Sequence, residues 1–350
     1  MRDITISNIQ IGASYKPMII AEMSGNHNGS LERALDIVDM AAKAGAQALK
    51  IQTYTADTMT IPENKGLFYI DDENSLWHGK SLHDLYQTAF TPWEWHEAIF
   101  DRAKSHGMIG FSAPFDETAV DFLEGLNVPC YKIASFENID LPLIKRVAQT
   151  RKPVIISTCM ASLAEIDEAV SCARKNGCDD LILLKCTSTY PADVKDSNLA
   201  SIPAMQKNFN CHVGLSDHTL GIGAAIASVA LGARVIEKHV TLKRSDGGVD
   251  SAFSLEPEEL SELVSQSATA QQSIGQVSFG PTEAELSSLR FRRSIYVVKP
   301  VKKGETVSRD NIRVIRPSGG LAPKHIDKVL GKTFSDDYEQ GTPFSWDMLS

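Results

Sequence analysis

Positive charge is scarce in this chain. Its 35 Lys and Arg face 44 Asp and Glu, for a net charge of −9. A nucleic-acid binder needs a basic face for phosphates, so that class is disfavoured. A small anionic ligand, which needs only a local cluster of cations, is not. Long apolar runs are also missing. The longest, residues 220–233 (LGIGAAIASVALGA), is shorter than the roughly 18 residues that cross a bilayer and reads as a buried helix rich in small side chains. Residues 1–12 hold no continuous apolar stretch, which argues against a secretory signal. The six cysteines, Cys130, Cys159, Cys172, Cys178, Cys186 and Cys211, include no CxxC pair. That pattern predicts reduced, buried thiols and a cytoplasmic setting rather than a disulfide framework. No GxGxxG follows the first apolar run, which removes the main signal for a doubly wound dinucleotide-binding sheet.

What is present is ordinary globular material, 43% hydrophobic and 23% charged over 350 residues, arranged in a strong alternation. Short apolar runs occupy residues 18–23, 46–53, 108–112, 129–134, 153–158, 181–186, 212–216 and 234–240. Segments with helical spacing lie between and after them, at 31–44, 117–126, 141–149, 198–206, 220–231 and 257–274. Leu31, Leu35, Val38 and Ala42 form one stripe. Thr91–Pro92–Trp93–Glu94 and Ser162–Leu163–Ala164–Glu165 read as capping boxes that open two more helices, to about Lys104 and Lys175. Fully apolar strands alternating with helices indicate a parallel sheet covered on its outer face. Eight such repeats predict an α/β fold, a (β/α)8 TIM barrel, over residues 1–280. The insert at 56–90 breaks the rhythm and reads as a loop with a short helix beside the barrel mouth, either a lid or an inert decoration. Residues 276–283 (QVSFGPTE) read as a linker. Residues 281–350 form a small, loop-rich β domain with expected strands at 294–299, 306–307, 312–315 and 329–334.

Polar side chains collect at the C-terminal ends of the apolar runs, where barrel enzymes place their active sites. They include Glu22, Lys50 and Gln52, Ser112, Lys132, Ser135 and Glu137, Ser157 and Thr158, Lys185, Ser216, Asp217 and His218, and Glu237, Lys238 and His239. Four lysines near one rim either plug the barrel as salt bridges or meet an anion; burying that much charge is costly otherwise. Ser135, Ser157 and Ser216 add hydroxyl donors. Gly221 and Gly223 open a helix whose free N–H groups favour an anion. His218 and His239 end neighbouring strands and could close on one first-row divalent ion such as Mn²⁺, or simply bond to each other. His27, in the first loop, could contact a sugar hydroxyl, whereas His78, His83, His96, His106 and His325 read as surface or packing residues.

Several segments carry a family resemblance: residues 21–32 (AEMSGNHNGSLE), 50–60 (KIQTYTADTMT), 111–124 (FSAPFDETAVDFLE), 131–137 (YKIASFE), 183–192 (LLKCTSTYPA), 213–223 (VGLSDHTLGIG) and 236–242 (IEKHVTL). They resemble the sialic acid synthase family, whose members condense phosphoenolpyruvate with an amino sugar. Residues 291–305 (FRRSIYVVKPVKKGE) and 311–324 (NIRVIRPSGGLAPK) resemble that family's C-terminal antifreeze-like (SAF, β-clip) domain. The resemblance implies His218 and His239 as ligands of a divalent metal, most simply Mn²⁺, with Mg²⁺ or Co²⁺ as alternatives. It implies Glu22 near the sugar hydroxyls, and Lys50, Lys132, Ser135, Ser157, Lys185 and Ser216 around phosphoenolpyruvate. Gln52, Glu137, Tyr190 and Asp250 fall at further site positions. Arg316 matches an arginine that reaches the sugar's acyl group in the other subunit, which implies a domain-swapped homodimer. Two departures stand out: Cys159 where the family usually has Gly, and Ser318–Gly319 where Gly–Asn is commoner. Glu22, Glu137 and His239 are the expected catalytic groups. A Schiff-base aldolase using Lys132 or Lys185 and a non-catalytic sugar-binding protein are the rival readings; neither requires a metal.

Overall fold

The computed structural model describes all residues but Asn74 and divides into two compact units, Met1–Gly275 and Gln276–Ser350. The sequence alone puts the boundary at 280/281, five residues after the division between the units. In the first unit an N-terminal hairpin, β1 (Ile4–Ile6) and β2 (Ile9–Ile11), precedes the repeats. Then come β3 (Met18–Glu22), α1 (Leu31–Ala44), β4 (Ala48–Thr53), α2 (Ala56–Met59), α3 (Leu82–Ala89), α4 (His96–Ser105), β5 (Ile109–Pro114), α5 (Glu117–Gly125), β6 (Tyr131–Ile133), α6 (Leu141–Ala148) and β7 (Val154–Ser157). They continue with α7 (Leu163–Lys175), β8 (Leu181–Cys186), α8 (Ser201–Phe209), β9 (His212–Asp217), α9 (Gly223–Ala230), β10 (Val235–His239) and α10 (Pro257–Ile274). The eight apolar runs all become strands of a closed parallel barrel, ordered β10-β3-β4-β5-β6-β7-β8-β9. This is the (β/α)8 fold expected from the sequence.

The strands are buried along their length because helices cover the outside and side chains fill the inside. At the N-terminal ends the filling is aliphatic. Ile4, Ile6 and Ile11 of the hairpin join Met18, Ile20, Ile155, Ile182 and Val235 in one cluster that closes this end of the barrel. Each such side chain contributes roughly 1.5–3 kcal/mol by leaving water. Where β9 meets β10 the backbones crowd, and a Cβ at Gly214 would lie 2.1 Å from the Val235 carbonyl oxygen; glycine is required there. α1 starts at Ser30, whose hydroxyl accepts from the Arg33 N–H, and stops at Gly45 with φ 91°. Its fully buried face is Ala34, Ile37, Val38 and Ala41. Leu31, Leu35 and Ala42, of the expected stripe, pack only partly buried along that face's edge.

Several sequence expectations need correction. The Ser162 capping box forms, with Glu165 Oε2 accepting from the Ser162 N–H at 2.7 Å. The Thr91 box does not: Pro92 precedes a short 3-10 turn, and the buried Thr91 hydroxyl faces His27 Nε2 at 3.4 Å instead. His27 is buried, bonded at both ring nitrogens and edge-on to Trp95, so it packs rather than presenting itself to a sugar. The cysteines are not all reduced: Cys159 and Cys186 are joined as a disulfide. Cys130, Cys172, Cys178 and Cys211 remain thiols, as expected.

The second unit has its own apolar core, in which Ile295, Val297, Ile312, Phe334 and Phe344 are fully buried. β11 (Ser294–Val297) pairs antiparallel with β12 (Ile312–Ile315). The expected strand at 329–334 is not one: α11 (Ile326–Val329) ends there, and Thr333 and Phe334 make only isolated bridges, to Thr306 and Leu349. Among the described residues no helix is long and apolar enough to cross a membrane.

Candidate active site

Strand register brings the polar residues to one level at the C-terminal end of the barrel. Glu22 of β3 lies between Lys50 of β4 and His239 of β10, Glu237 pairs with Ser216 of β9, and Ser216 pairs with Cys186 of β8. Alternation points Glu22, Lys50, Lys132, Glu237 and His239 inward, where they form a chain of alternating charge. Lys50 Nζ lies 2.7 Å from Glu22 Oε2 and 3.7 Å from Glu237 Oε1, and Lys132 Nζ lies 3.5 Å from the same Glu237 oxygen. Ser216 Oγ donates to it at 3.2 Å, and Gln52 Nε2 donates to Glu22 Oε1 at 2.9 Å. Glu237, counted in the sequence only among the polar strand ends, is the hub. Nothing in its sequence neighbourhood marks it; only barrel closure puts both lysines on it.

The electrostatics follow from burial against pairing. Burial opposes the charge of Glu237, but Lys132 and Lys50 outweigh it and hold the carboxyl below its usual range. For Glu22 burial wins over Lys50, and the carboxyl is raised. Lys50 is raised because Glu22 and Glu237 outweigh its desolvation. Lys132, more weakly compensated, is brought by burial down to about 8. Glu137, in the turn after β6, is pushed by burial up to about 7, and Asp250 likewise to about 6. Both carboxyls are thereby placed where proton transfer near neutrality is possible.

The chain of charges is not a closed plug. Ser157 Oγ, Glu237 Oε2 and His239 Nδ1 are buried without a hydrogen-bond partner, a costly state unless a ligand completes them. The His218 and His239 rings lie 5.3 Å apart with Phe253 packed against both. His218 Nδ1 is 2.8 Å from the Thr187 carbonyl oxygen and donates to it, which leaves Nε2 with its lone pair free. Burial lowers the pKa of both imidazoles, keeping them neutral as ligation requires. Among the described residues no three or more His, Cys, Asp or Glu converge as a metal cage. A divalent ion here would have two imidazole ligands, with water and substrate oxygens filling the rest. The orphaned His239 nitrogen and the fixed His218 tautomer fit that group.

Behind the imidazoles stands a second buried pair. Lys238 Nζ donates to Asp217 Oδ2 at 2.8 Å and to the Thr219 carbonyl at 2.5 Å. These two residues, each next to one of the histidines, point away from the mouth; Lys238 is therefore not one of its cations. Lys50 and Lys132 are the lysines of the charged chain; Lys185, which follows Leu184 of the inner cluster on β8, donates to the Cys186 carbonyl.

The other expected residues fall around this centre. Tyr190 packs against His218, ring centroids 4.6 Å apart and tilted by 46°. Asp250 accepts from Ser24 Oγ at 2.5 Å and lies 3.7 Å from His239 Nδ1. Ser135 Oγ lies 3.5 Å from Cys186 Sγ, and Lys185 Nζ donates to the Cys186 carbonyl at 2.6 Å. Arg316 is exposed in the second unit, just after β12. The insert flanks the site: Trp77 packs 5.7 Å from Tyr190 and its indole N–H donates to the Val249 carbonyl at 3.0 Å. A cavity of about 540 Å³, lined by Gly25, Trp77, Lys80, Val249 and others, lies beside the charged chain but includes none of its members.

A closed barrel whose C-terminal rim combines lysines, buried carboxyls and two neutral imidazoles defines an anion-handling active site, and sequence comparison is specific about its kind. Residues 37–279 match the NeuB family and residues 292–350 the SAF domain. The chain belongs to the NeuB family. It is 43% identical to a pseudaminic acid synthase of Campylobacter jejuni over 326 residues, 93% of this chain and 94% of that protein. It is 39% identical to a pseudaminic acid synthase of Helicobacter pylori, covering 95% and 97% of the two chains. Among solved structures, an N-acetylneuraminic acid synthetase of Leptospira borgpetersenii matches with a TM-score of 0.73 and 32% identity, over 83% of this chain and 96% of that one.

Proposed function

We propose that the chain is a transferase that condenses phosphoenolpyruvate with 2,4-diacetamido-2,4,6-trideoxy-altrose and water, giving pseudaminate and phosphate. The observation that carries the reading is the buried run Glu22–Lys50–Glu237–Lys132 beside paired neutral imidazoles at the catalytic end of the barrel. The sugar assignment is supported by the two pseudaminic acid synthases above and by residues 91–96 (TPWEWH), 247–257 (GGVDSAFSLEP) and 291–299 (FRRSIYVVK), which look most like that branch. Relatives named N,N'-diacetyllegionaminic acid synthase, at 35% identity, mark the close alternative, with N-acetylneuraminate as the other candidate product.

His218 and His239 would hold a divalent ion, most simply Mn²⁺, whose chemistry is to polarise the sugar's aldehyde oxygen. Lys50, Lys132 and Lys185, with the Ser135, Ser157 and Ser216 hydroxyls, bind the carboxylate and phosphate and orient C3 of the enol toward the aldehyde carbon. Gln52, Glu22, Tyr190 and Asp250 hold the sugar. C3 attacks, C2 becomes cationic and takes up water, and the tetrahedral hemiketal phosphate expels phosphate by C–O cleavage. Glu137, with its pKa near 7, is the carboxyl suited to move the water's proton. Arg316 of a second subunit would meet the sugar's acyl group in a domain-swapped homodimer, and the setting is the cytoplasm.

The test is phosphate release from phosphoenolpyruvate across a panel of 2-acetamido and 2,4-diacetamido hexoses, with and without Mn²⁺. Turnover confined to the altro 2,4-diacetamido sugar and dependent on the metal is expected. With ¹⁸O at the enol-ether bridge, label must leave in phosphate; label kept in the sugar acid would sink the mechanism.

A further inference from the structure

Cys159 and Cys186 lie 27 residues apart in sequence, with Cα atoms 4.9 Å apart in the structure. Their disulfide joins the ends of β7 and β8, which the barrel has already paired from Val154↔Leu181 to Ser157↔Leu184. The Thr158 N–H, next to Cys159, also donates to the Leu184 carbonyl at 3.0 Å. Within the folded barrel the bridge therefore connects nothing that was apart.

Its neighbours are the anion donors of the mouth. Ser135 Oγ rests 3.5 Å from Cys186 Sγ, and Lys185 Nζ donates to the Cys186 carbonyl at 2.6 Å. His218 Nδ1 is 4.0 Å from the same sulfur. Asn138 ties the group together, donating to the carbonyls of Cys159 at 2.9 Å, Ser135 at 2.7 Å and Ser157 at 3.4 Å. The remaining cysteines are poor competitors for thiol chemistry. Burial raises all four thiols, Cys211 to about 11 and Cys178 to about 12, which suppresses the reactive thiolate.

We propose that Cys159 and Cys186 are a reversible redox pair built into the anion-binding floor of the mouth, opened and closed by exchange with a low-molecular-weight thiol/disulfide couple, and that the bridged form binds phosphoenolpyruvate more weakly. The coupling rests on the reading of this mouth as the phosphoenolpyruvate site. In closure, one protein thiolate attacks a small disulfide and expels one small thiolate, leaving a mixed disulfide. The second protein thiolate then attacks the protein sulfur of that bond and expels the other small thiolate. Two protein thiols are oxidised, one small disulfide is reduced to two thiols, and the two protein protons end on them. Binding weakens because the bridge fixes the Cys186 sulfur against the Ser135 hydroxyl, an anion donor of the mouth. Opening the bridge frees the Cys186 side chain to turn away from that hydroxyl.

The full-length protein is poised with excess dithiothreitol or with glutathione disulfide. It is then denatured in the presence of a maleimide and mapped by mass spectrometry, while binding of phosphoenolpyruvate alone is measured by calorimetry. Reduction should place tags on Cys159 and Cys186, and oxidation should remove those two tags only. Oxidation should raise the Kd for phosphoenolpyruvate about tenfold, the scale of losing a contact to a charged group; dithiothreitol should reverse it. The double change Cys159→Ala with Cys186→Ala should lose the response to oxidant. By reciprocity, phosphoenolpyruvate should shift the pair toward its open form at a fixed thiol/disulfide ratio. Full tagging of both cysteines under oxidising conditions, or one Kd in both states, overturns the proposal. If no form of the protein binds phosphoenolpyruvate, the site reading falls and takes the coupling with it, while the tagging pattern still decides whether the pair itself is redox-active.

Discussion

The two ends of the barrel are made from the same strands and solve opposite problems. At the N-terminal end, Ile20, Ile155, Ile182 and Val235 meet the hairpin isoleucines, and the filling is wholly apolar. At the C-terminal end the same strands finish in Glu22, Ser157, Cys186 and His239, and Ser157 Oγ, Glu237 Oε2 and His239 Nδ1 there are among the buried polar atoms without a hydrogen-bond partner. One end is packed for burial and the other arranged for a ligand it must complete. Ends so different should respond to substitution in opposite ways.

The sharpest break would come at the mouth. His239→Ala should lower phosphate release about 10³-fold and abolish Mn²⁺ binding, since an electrophile facing developing charge is worth that much. Melting temperature should hold or rise, because an unpaired buried nitrogen is removed. A fall in stability would mean the mouth, too, is structural packing. At the closed end, Ile182→Ala should cost about 2–5 kcal/mol in urea unfolding. The KM for phosphoenolpyruvate of the folded fraction should stay unchanged.

The Lys238–Asp217 pair stands between these extremes. Lys238→Met alone leaves Asp217 buried without its cation, a loss of about 3–5 kcal/mol. The double change Lys238→Met with Asp217→Leu should regain most of that stability yet still bind Mn²⁺ about 10–100-fold more weakly, because the imidazole-bearing strand ends lose their anchor. Full recovery of both would make the pair structural only. The smallest effect concerns Glu137. Its carboxyl is raised from an unfolded value of 4.5 to about 7, so the folded state favours the proton. That stabilisation is fully present below pH 4.5 and lost as pH rises through about 7. It amounts to about 1–3 kcal/mol, and Glu137→Gln should flatten this part of the stability–pH curve.

The fold was legible because strands buried on both faces appear as uninterrupted apolar runs, and all eight did. α10 was legible to the residue, since Pro257 opens it and Gly275 follows its end. The hairpin that fills the N-terminal end was not foreseen; four isoleucines at positions 4, 6, 9 and 11 only become a plug once a barrel exists around them. The site was readable as a list of residue types at strand ends, but not as a set of partners. That Glu237 meets both Lys50 and Lys132, that Lys238 turns away, and that Cys159 reaches Cys186 are all consequences of closure between neighbouring strands. The Thr91 box misled because Pro92 was read as a helix start, whereas tertiary contact with His27 claims the threonine.

Lys132 has one further consequence. Its ammonium is half discharged near pH 8 because Glu237 compensates its burial only in part. A phosphate or carboxylate arriving beside it would restore full ionisation, so ligand capture draws a hydrogen ion from the solvent. Calorimetry in two buffers of different ionisation heat should register that uptake above neutrality, with affinity declining as alkalinity increases. The enzyme's grip on its substrate is then set partly by the medium's acidity, through a single amine.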